Sequence, residues 1–300
     1  GDGSSGSPFA SLGPALQAAS PGTKIVMKAG THSPDVHASS VQGTAASPIK
    51  IVGEEGAIIE GGSTGLQISD ANWLVIENVT IRDAAQNGLN LDDGGDYSSP
   101  AHHVVLRGVT VEEIGSGGNQ DCIKLSGVDD FQVRNSAVSG CSGEGIDMVG
   151  CHSGTITGTQ VTGIGDGIQA KGGSADVVIQ GNRFEGTTKR SINAGGSTGL
   201  EYFRPSDAPH EAKNIRAYAN LFVDVTGTPI AYVGCDGCEF FNNTLVRPER
   251  WVARILQETT GERFVPSRDG LFANNVVYFR TSDIRTWINV GPDTEPGSFT

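Results

Sequence analysis

Short apolar runs recur along this chain with alternating spacing, and turn residues separate them. Stretches such as "WLVIENVTIRD", "HVVLRGVTVEE", "DFQVRNSAVSG", "DVVIQGNRFEG" and "NIRAYANLFVD" each hold two or three strand-like segments broken by Gly, Asn, Asp or Ser. Aligned on the apolar position that follows an x-[NG]-x-x turn, the marker falls on Ile81, Val111, Val138, Val161, Phe184, Phe222, Leu245 and Val277. A step of 23 residues recurs three times, and the longer steps read as insertions within a unit. Short alternating strands in such a repeat, with no helical period, predict a parallel β-helix in which each unit is one coil. The expected architecture is an all-β solenoid of about ten coils forming a single domain over residues 1–300. Loop insertions fall at 92–103, 197–212 and 258–270. Asn182, Asn220, Asn243 and Asn275 share one register in four successive units, as a stacked amide ladder requires.

The first 22 residues follow a different pattern and are expected to form a cap segment. "SPFASLGPALQAAS" offers Ser7 as N-cap and Pro8 at the first helical position, so a short helix is expected over the open end of the first coil. Pro14 works against that helix, since an interior proline breaks one.

A second strand column carries the candidate chemistry. "NGLNLDD", "DCIKLSG", "EGIDMVG", "DGIQAKG", "RSINAGG" and "TPIAYVG" align without gaps. Leu89, Ile123, Ile146, Ile168, Ile192 and Ile230 form one inward column, and Leu91, Leu125, Met148, Ala170, Ala194 and Tyr232 the next. Side chains alternate across a strand, so Asn90, Lys124, Asp147, Gln169, Asn193 and Ala231 face outward, as do Asp92, Ser126, Val149, Lys171, Gly195 and Val233. The turn before the strand supplies Asn87, Asp121, Glu144, Asp166, Arg190 and Thr228. The small residue that follows each is expected to mark a bend that lets them face solvent too. Coils stack about 4.8 Å apart, so Asp121, Glu144 and Asp166 would form a like-charge ladder beside Asp147 and Lys124. Such a ladder either holds a cation, with calcium suited to several oxygens at once, or is neutralised by Lys124, Lys171 and Arg190.

Composition narrows the partners. Glycine is 43 of 300 residues without a collagen period, and no apolar run is long enough for a membrane helix. A net charge of −13 argues against nucleic acid. No signal peptide is visible, and the start reads as that of a mature or trimmed chain. Five cysteines leave at least one without a partner in the chain. "CDGC" at 235–238 is either a tight disulfide or a thiol pair, and zinc chemistry would want a second cluster.

With these columns the chain resembles the right-handed parallel β-helix superfamily of pectate lyases and related polysaccharide lyases. "EGIDM" is similar to the D-G-x-D calcium segment of one such family. The spacing of Asp166 to Lys171 is similar to a segment of the chondroitinase/alginate-lyase type. The resemblance implies calcium held by Asp121, Glu144, Asp147 and Asp166, and a calcium-dependent β-elimination on a uronate-containing, acidic polysaccharide. It implies Lys171 as base, with Arg190 as the catalytic arginine and Lys124 second to Lys171. Lys124 lies directly beside Asp147, where a salt bridge is its first expectation. The second family type places its arginine at the position held here by Gly195, which puts the role of Arg190 in question and makes Arg204 an alternative. Gln169, Asn193, Tyr202, Arg204, Trp251 and Arg254 are the expected substrate-binding residues, with Trp251 stacking on sugar. Phe203 is expected to pack its loop onto the helix body. The resemblance implies a secreted or periplasmic protein, expected as a monomer. Three competitors stand beside this reading: an epimerase sharing the proton abstraction, a glycoside hydrolase using a carboxylate pair, and a non-catalytic glycan-binding β-helix.

Overall fold

The computed structural model describes all 300 residues, and its backbone winds into a parallel solenoid. Three sheets run its length, each with ten strands in succession, so about nine turns separate the first layer from the last. One extra strand, Val128–Asp129, pairs at the margin of the first sheet, and a short three-stranded ladder runs along one corner. Every strand pairing between coils is parallel, and consecutive coils are neighbours throughout. The apolar column from Ile81 to Val277 lies in the second sheet in one unbroken register.

That register follows from burial. Alternate residues of every strand turn into one continuous core that extends from Leu12 to Ile255, and a slip of one residue would expose them all. The asparagine ladder fixes the register a second way. Asn182 Nδ2 donates to Asn220 Oδ1, Asn220 to Asn243 and Asn243 to Asn275, each at 3.0 Å. Each Oδ1 also accepts the backbone N–H of the preceding coil's asparagine, and Asn182 extends the ladder to the Thr159 N–H at 2.8 Å.

The N-terminal helix starts later than the Ser7–Pro8 signal suggests. It spans Leu12–Gln17, with Ser11 at the N-cap, and buries Leu12, Ala15 and Leu16. Pro14 then falls in the first turn, where its missing N–H has no intrahelical partner to lose. The helix packs against strands Lys24–Met27 and Val36–Ser39 of the first coil, so it covers the end of the core as expected.

Cys122–Cys141 and Cys235–Cys238 are disulfide-bonded, and Cys151 is the buried free thiol. Cys122 and Cys141 precede the strands that begin at Ile123 and Glu144, so this bridge staples two adjacent coils of the third sheet.

Candidate active site

Strands Ile123–Ser126, Glu144–Val149, Asp166–Lys171 and Arg190–Gly195 lie side by side in the third sheet. Lys124 opposes Asp147, Asp147 opposes Gln169, and Val149 opposes Lys171, the register expected from the aligned segments. The bend after the turn is real. A Cβ on Gly145 would lie 2.7 Å from the Gly167 carbonyl oxygen and 3.1 Å from Val138, so this residue points inward and leaves Glu144 on the outer face.

Two lysines and three acids meet there. The Lys124 ammonium donates to Asp147 Oδ2 at 2.7 Å and Asp121 Oδ2 at 3.0 Å. Lys171 Nζ lies 3.1 Å from Asp147 Oδ1 and 3.9 Å from Glu144 Oε1. Asp121 Oδ1 accepts the Glu144 backbone N–H at 2.9 Å. Asp121 and Asp147 are fully buried, and Glu144 is 9% exposed. Burial would strip the proton from each lysine, but the carboxylates outweigh it. Asp147 and Asp121 hold Lys124 above the usual lysine range, and Asp147 and Glu144 do the same for Lys171. Glu144 moves the other way from an ordinary acid. Burial, the hydrogen bond with Asp121 and the Asp147 charge push its carboxyl up to about 8, against the pull of Lys171. With Glu144 protonated, two ammonium groups balance two carboxylates.

Asp121, Glu144 and Asp147 each bring an oxygen within 4.8 Å of the others, a group that could hold a cation. Asp166, the fourth expected ligand, is not among them, because its carboxylate turns to Lys189 at 3.4 Å. Calcium takes about six to eight oxygen ligands. Both oxygens of Asp121 and Asp147 Oδ2 already accept from Lys124 or the Glu144 amide, and Asp147 Oδ1 faces the Lys171 ammonium at 3.1 Å, which leaves Glu144 Oε2 and Asp147 Oδ1 as the two buried oxygens without a hydrogen bond. In this arrangement the donor set does not fit calcium.

Above the lysines lies a cavity of about 520 Å³ lined by Lys124, Lys171, Tyr97, Tyr202, Asp92 and Arg204 among others. Its walls come from the 92–103 and 197–212 insertions. Arg204 is 8% exposed and is locked by Asp129 Oδ1 at 2.7 Å and the Gly150 carbonyl at 2.6 Å. It anchors its loop rather than standing free for a ligand. Asp129, with burial opposing, is drawn down to about 2 by hydrogen bonds from His152 and Arg204. Phe203 is fully buried against Phe264 at 5.3 Å, so it joins the 197–212 and 258–270 insertions, as packing predicts.

Arg190, Trp251, Arg254 and Asp166 gather elsewhere, in a cavity of about 370 Å³ farther along the same sheet. Arg190 pairs with Glu258 and does not line the lysine groove, so the expected catalytic arginine is displaced from Lys171. Trp251 is already stacked by two cations, Arg250 at 4.0 Å and Arg254 at 4.3 Å, rather than open to a sugar. Gln169 and Asn193 face outward by register but are only 6% and 1% exposed. Gln169 Nε2 donates to the Gly195 carbonyl at 3.2 Å, and both Asn193 amide atoms lack partners.

One residue had no signal in the sequence. The buried carboxylate of Glu211 accepts from the Gly172 N–H at 2.8 Å, the Thr198 N–H at 2.9 Å, the Thr198 hydroxyl at 2.7 Å and the Thr259 hydroxyl. It ties both insertions to the strand that carries Lys171.

A family model described as a right handed beta helix region matches residues 97–250, half of the chain, so the chain belongs to that family. Among curated proteins no match is found. Among solved structures, an alginate lyase from Paenibacillus sp. str. FPU-7 superposes with a TM-score of 0.64 at 20% identity, over 93% of this chain and 96% of that one. Pectate lyase Pel9A gives 0.66 at 13%, over 94% and 74%. A lacto-N-biosidase from Eubacterium ramulus gives 0.67 at 16%, over 100% of this chain and 64% of that one. These likenesses show the fold, and their names span lyases and a glycoside hydrolase.

Proposed function

We propose that the protein is a polysaccharide lyase that cleaves a uronate-containing chain by β-elimination in the groove above Lys124 and Lys171. The observation that carries this reading is which groups face the groove. Two ammonium groups and two phenols line it beside Asp92 and Asp93, while Asp121 and Asp147 lie beneath the lysines with no exposed surface.

Elimination removes the proton α to the uronate carboxylate. The electron pair forms a carbon–carbon double bond as the bond to the glycosidic oxygen breaks, and that oxygen takes up a proton. An ammonium has three N–H donors. Lys124 spends two on Asp147 and Asp121, and Lys171 spends one on Asp147, so both retain donors for a substrate carboxylate. Lys171, once deprotonated, is the base. Burial, with the charges of Asp93, Tyr202 and Glu201, raises the pKa of Tyr97, which keeps this phenol protonated as the acid available to the leaving oxygen. In this reading the Lys124 ammonium supplies the charge that the resemblance assigns to calcium, while Lys171 gives up its proton to act as base. The two disulfides suit an oxidising compartment, which supports a secreted or periplasmic location.

A hydrolase reading draws on Glu144, an acid held protonated up to about 8. Its partners count against it. The three carboxyl groups approach within 4.8 Å, closer than the roughly 5–9.5 Å of a hydrolytic pair. Product mass separates the readings. A lyase product from a defined uronate oligomer is one water lighter than the hydrolytic product, and an epimerase leaves the oligomer uncut. The heavier product would sink the lyase reading.

A further inference from the structure

We propose that the pocket formed by Arg190, Arg250, Trp251 and Arg254 is a second anion subsite, which holds a carboxylate or sulfate of the same glycan a few sugars from the one above Lys171. The inference rests on the lyase reading for its placement of the glycan along the groove.

The pocket contains four cations, Lys189 among them, in a chain whose net charge is −13. Lys189 is answered by Asp166 at 3.4 Å and Arg190 by Glu258. Arg250 and Arg254 have no carboxylate within salt-bridge distance. Both stack on Trp251, and the only side-chain hydrogen bond of Arg254 goes to the neutral Asn289 Oδ1 at 3.0 Å. Burial, and then the nearby charges of Arg190 and Arg250, push the Arg254 guanidinium pKa down, and the charge of Glu258 offsets them only in part. Trp251 serves as a plate that orients two guanidinium forks, whose planar donors match a carboxylate or sulfate two bonds at a time. The one internal anion that reaches these arginines, Glu258, engages Arg190 alone, as a stand-in for part of a ligand.

The spacing suits one ligand. From the strand of Lys171, the sheet steps through Arg190–Gly195 and Thr228–Val233 to Trp251–Leu256. Three steps of about 4.8 Å along the axis, with Arg254 in the column of Gln169 about 7 Å across the strand from Lys171, put the pocket roughly 16 Å from the lysine groove. An extended glycan lying along the sheet face reaches both, and its anionic groups must recur to fill both.

The test is binding, read by calorimetry on the full chain with short and long oligomannuronates and oligogalacturonates, a sulfated oligosaccharide, and a carboxyl-reduced long oligomer. Long charged oligomers are expected to bind about tenfold or more tighter than short ones, one charge-assisted contact converted to affinity. The gain should vanish in Arg250→Gln/Arg254→Gln, in high salt and for the reduced oligomer. Glu258→Gln, which removes the internal competitor, should tighten binding of the long oligomers, and this variant tests the site even if the double variant misfolds. The sulfated arm tells which anion the pocket prefers. An unchanged length dependence in the double variant, equal binding of the reduced oligomer, or no binding of any charged oligomer would overturn the proposal. Arginine-dependent binding without unsaturated product would keep the subsite and remove the lyase reading; unsaturated product with unaltered length dependence would do the reverse.

Discussion

Two cationic sites share one sheet face and differ in who supplies the negative charge. Around Lys124 and Lys171 the sheet supplies its own, from Asp121 and Asp147 buried in the layer below. Around Trp251, Asp166 and Glu258 answer only Lys189 and Arg190, and Arg250 and Arg254 stand against an aromatic ring. The first arrangement fixes ammonium groups in place and raises their pKa values. The second leaves guanidinium donors uncommitted. On the proposed reading, one stack of coils carries a reacting site whose charges are locked by the protein and a binding site whose charges await a ligand.

The largest effect should come from removing the base. Lys171→Ala is expected to lower elimination by about 10²- to 10⁴-fold, the usual worth of a positioned base. Lys171→Arg should be equally inactive, because arginine holds its proton, yet should retain the ion pair and hence most of the stability. An active Lys171→Arg would refute the base assignment. The stability contrast between the sites is next. Lys124→Met leaves Asp121 buried without an ion-pair partner and Asp147 with Lys171 alone, a loss of about 3–5 kcal/mol in denaturant unfolding. Arg250→Gln removes no internal pair and should stay within about 0.5 kcal/mol. Equal losses would erase the distinction between locked and free charge.

Two pH predictions follow. The carboxyl of Glu144 is raised from 4.5 to about 8, so the folded state binds its proton more tightly than the unfolded chain. Its contribution to stability is complete below about 4.5 and is lost as pH rises towards 8, and Glu144→Gln should flatten that part of the profile. Asp147→Asn should shift the alkaline rise of activity to lower pH, since burial then acts on Lys171 with less opposing charge. An unmoved profile would mean that Lys171 is not the titrating base.

How much of this could be read from the chain depends on what makes each contact. The columns through Ile81, Lys124 and Asn182 were legible because alternation and burial permit one register, and the pairing of Lys124 with Asp147 followed from it. The contacts that place the loops were not. Arg204 meets Asp129 across 75 residues, and Arg190 meets Glu258 across 68. Those partners sit in or beside insertions, whose paths no repeat describes. Asp166 and Lys171 fall in two cavities for a simpler reason, since they open and close one strand and lie roughly 16 Å apart along it. Stacking keeps Asp166 and Arg190 together at the strand starts, where Lys189 and Glu258 pair with them. The sequence left a bound cation and neutralisation by Lys124, Lys171 and Arg190 both open; Lys124 and Lys171 lie on the acids, whereas Arg190 pairs with Glu258.

The central claim is that two lysines held on buried carboxylates perform elimination without calcium. The most direct measurement is ultraviolet absorbance of the protein mixed with pectate, alginate and glycosaminoglycans across alkaline pH, with and without a chelator. The account predicts absorbance from a new conjugated double bond on at least one polymer, steeper as pH rises, unaffected by the chelator and absent in Lys171→Ala. Absorbance abolished by the chelator, or equal in Lys171→Ala, would contradict it.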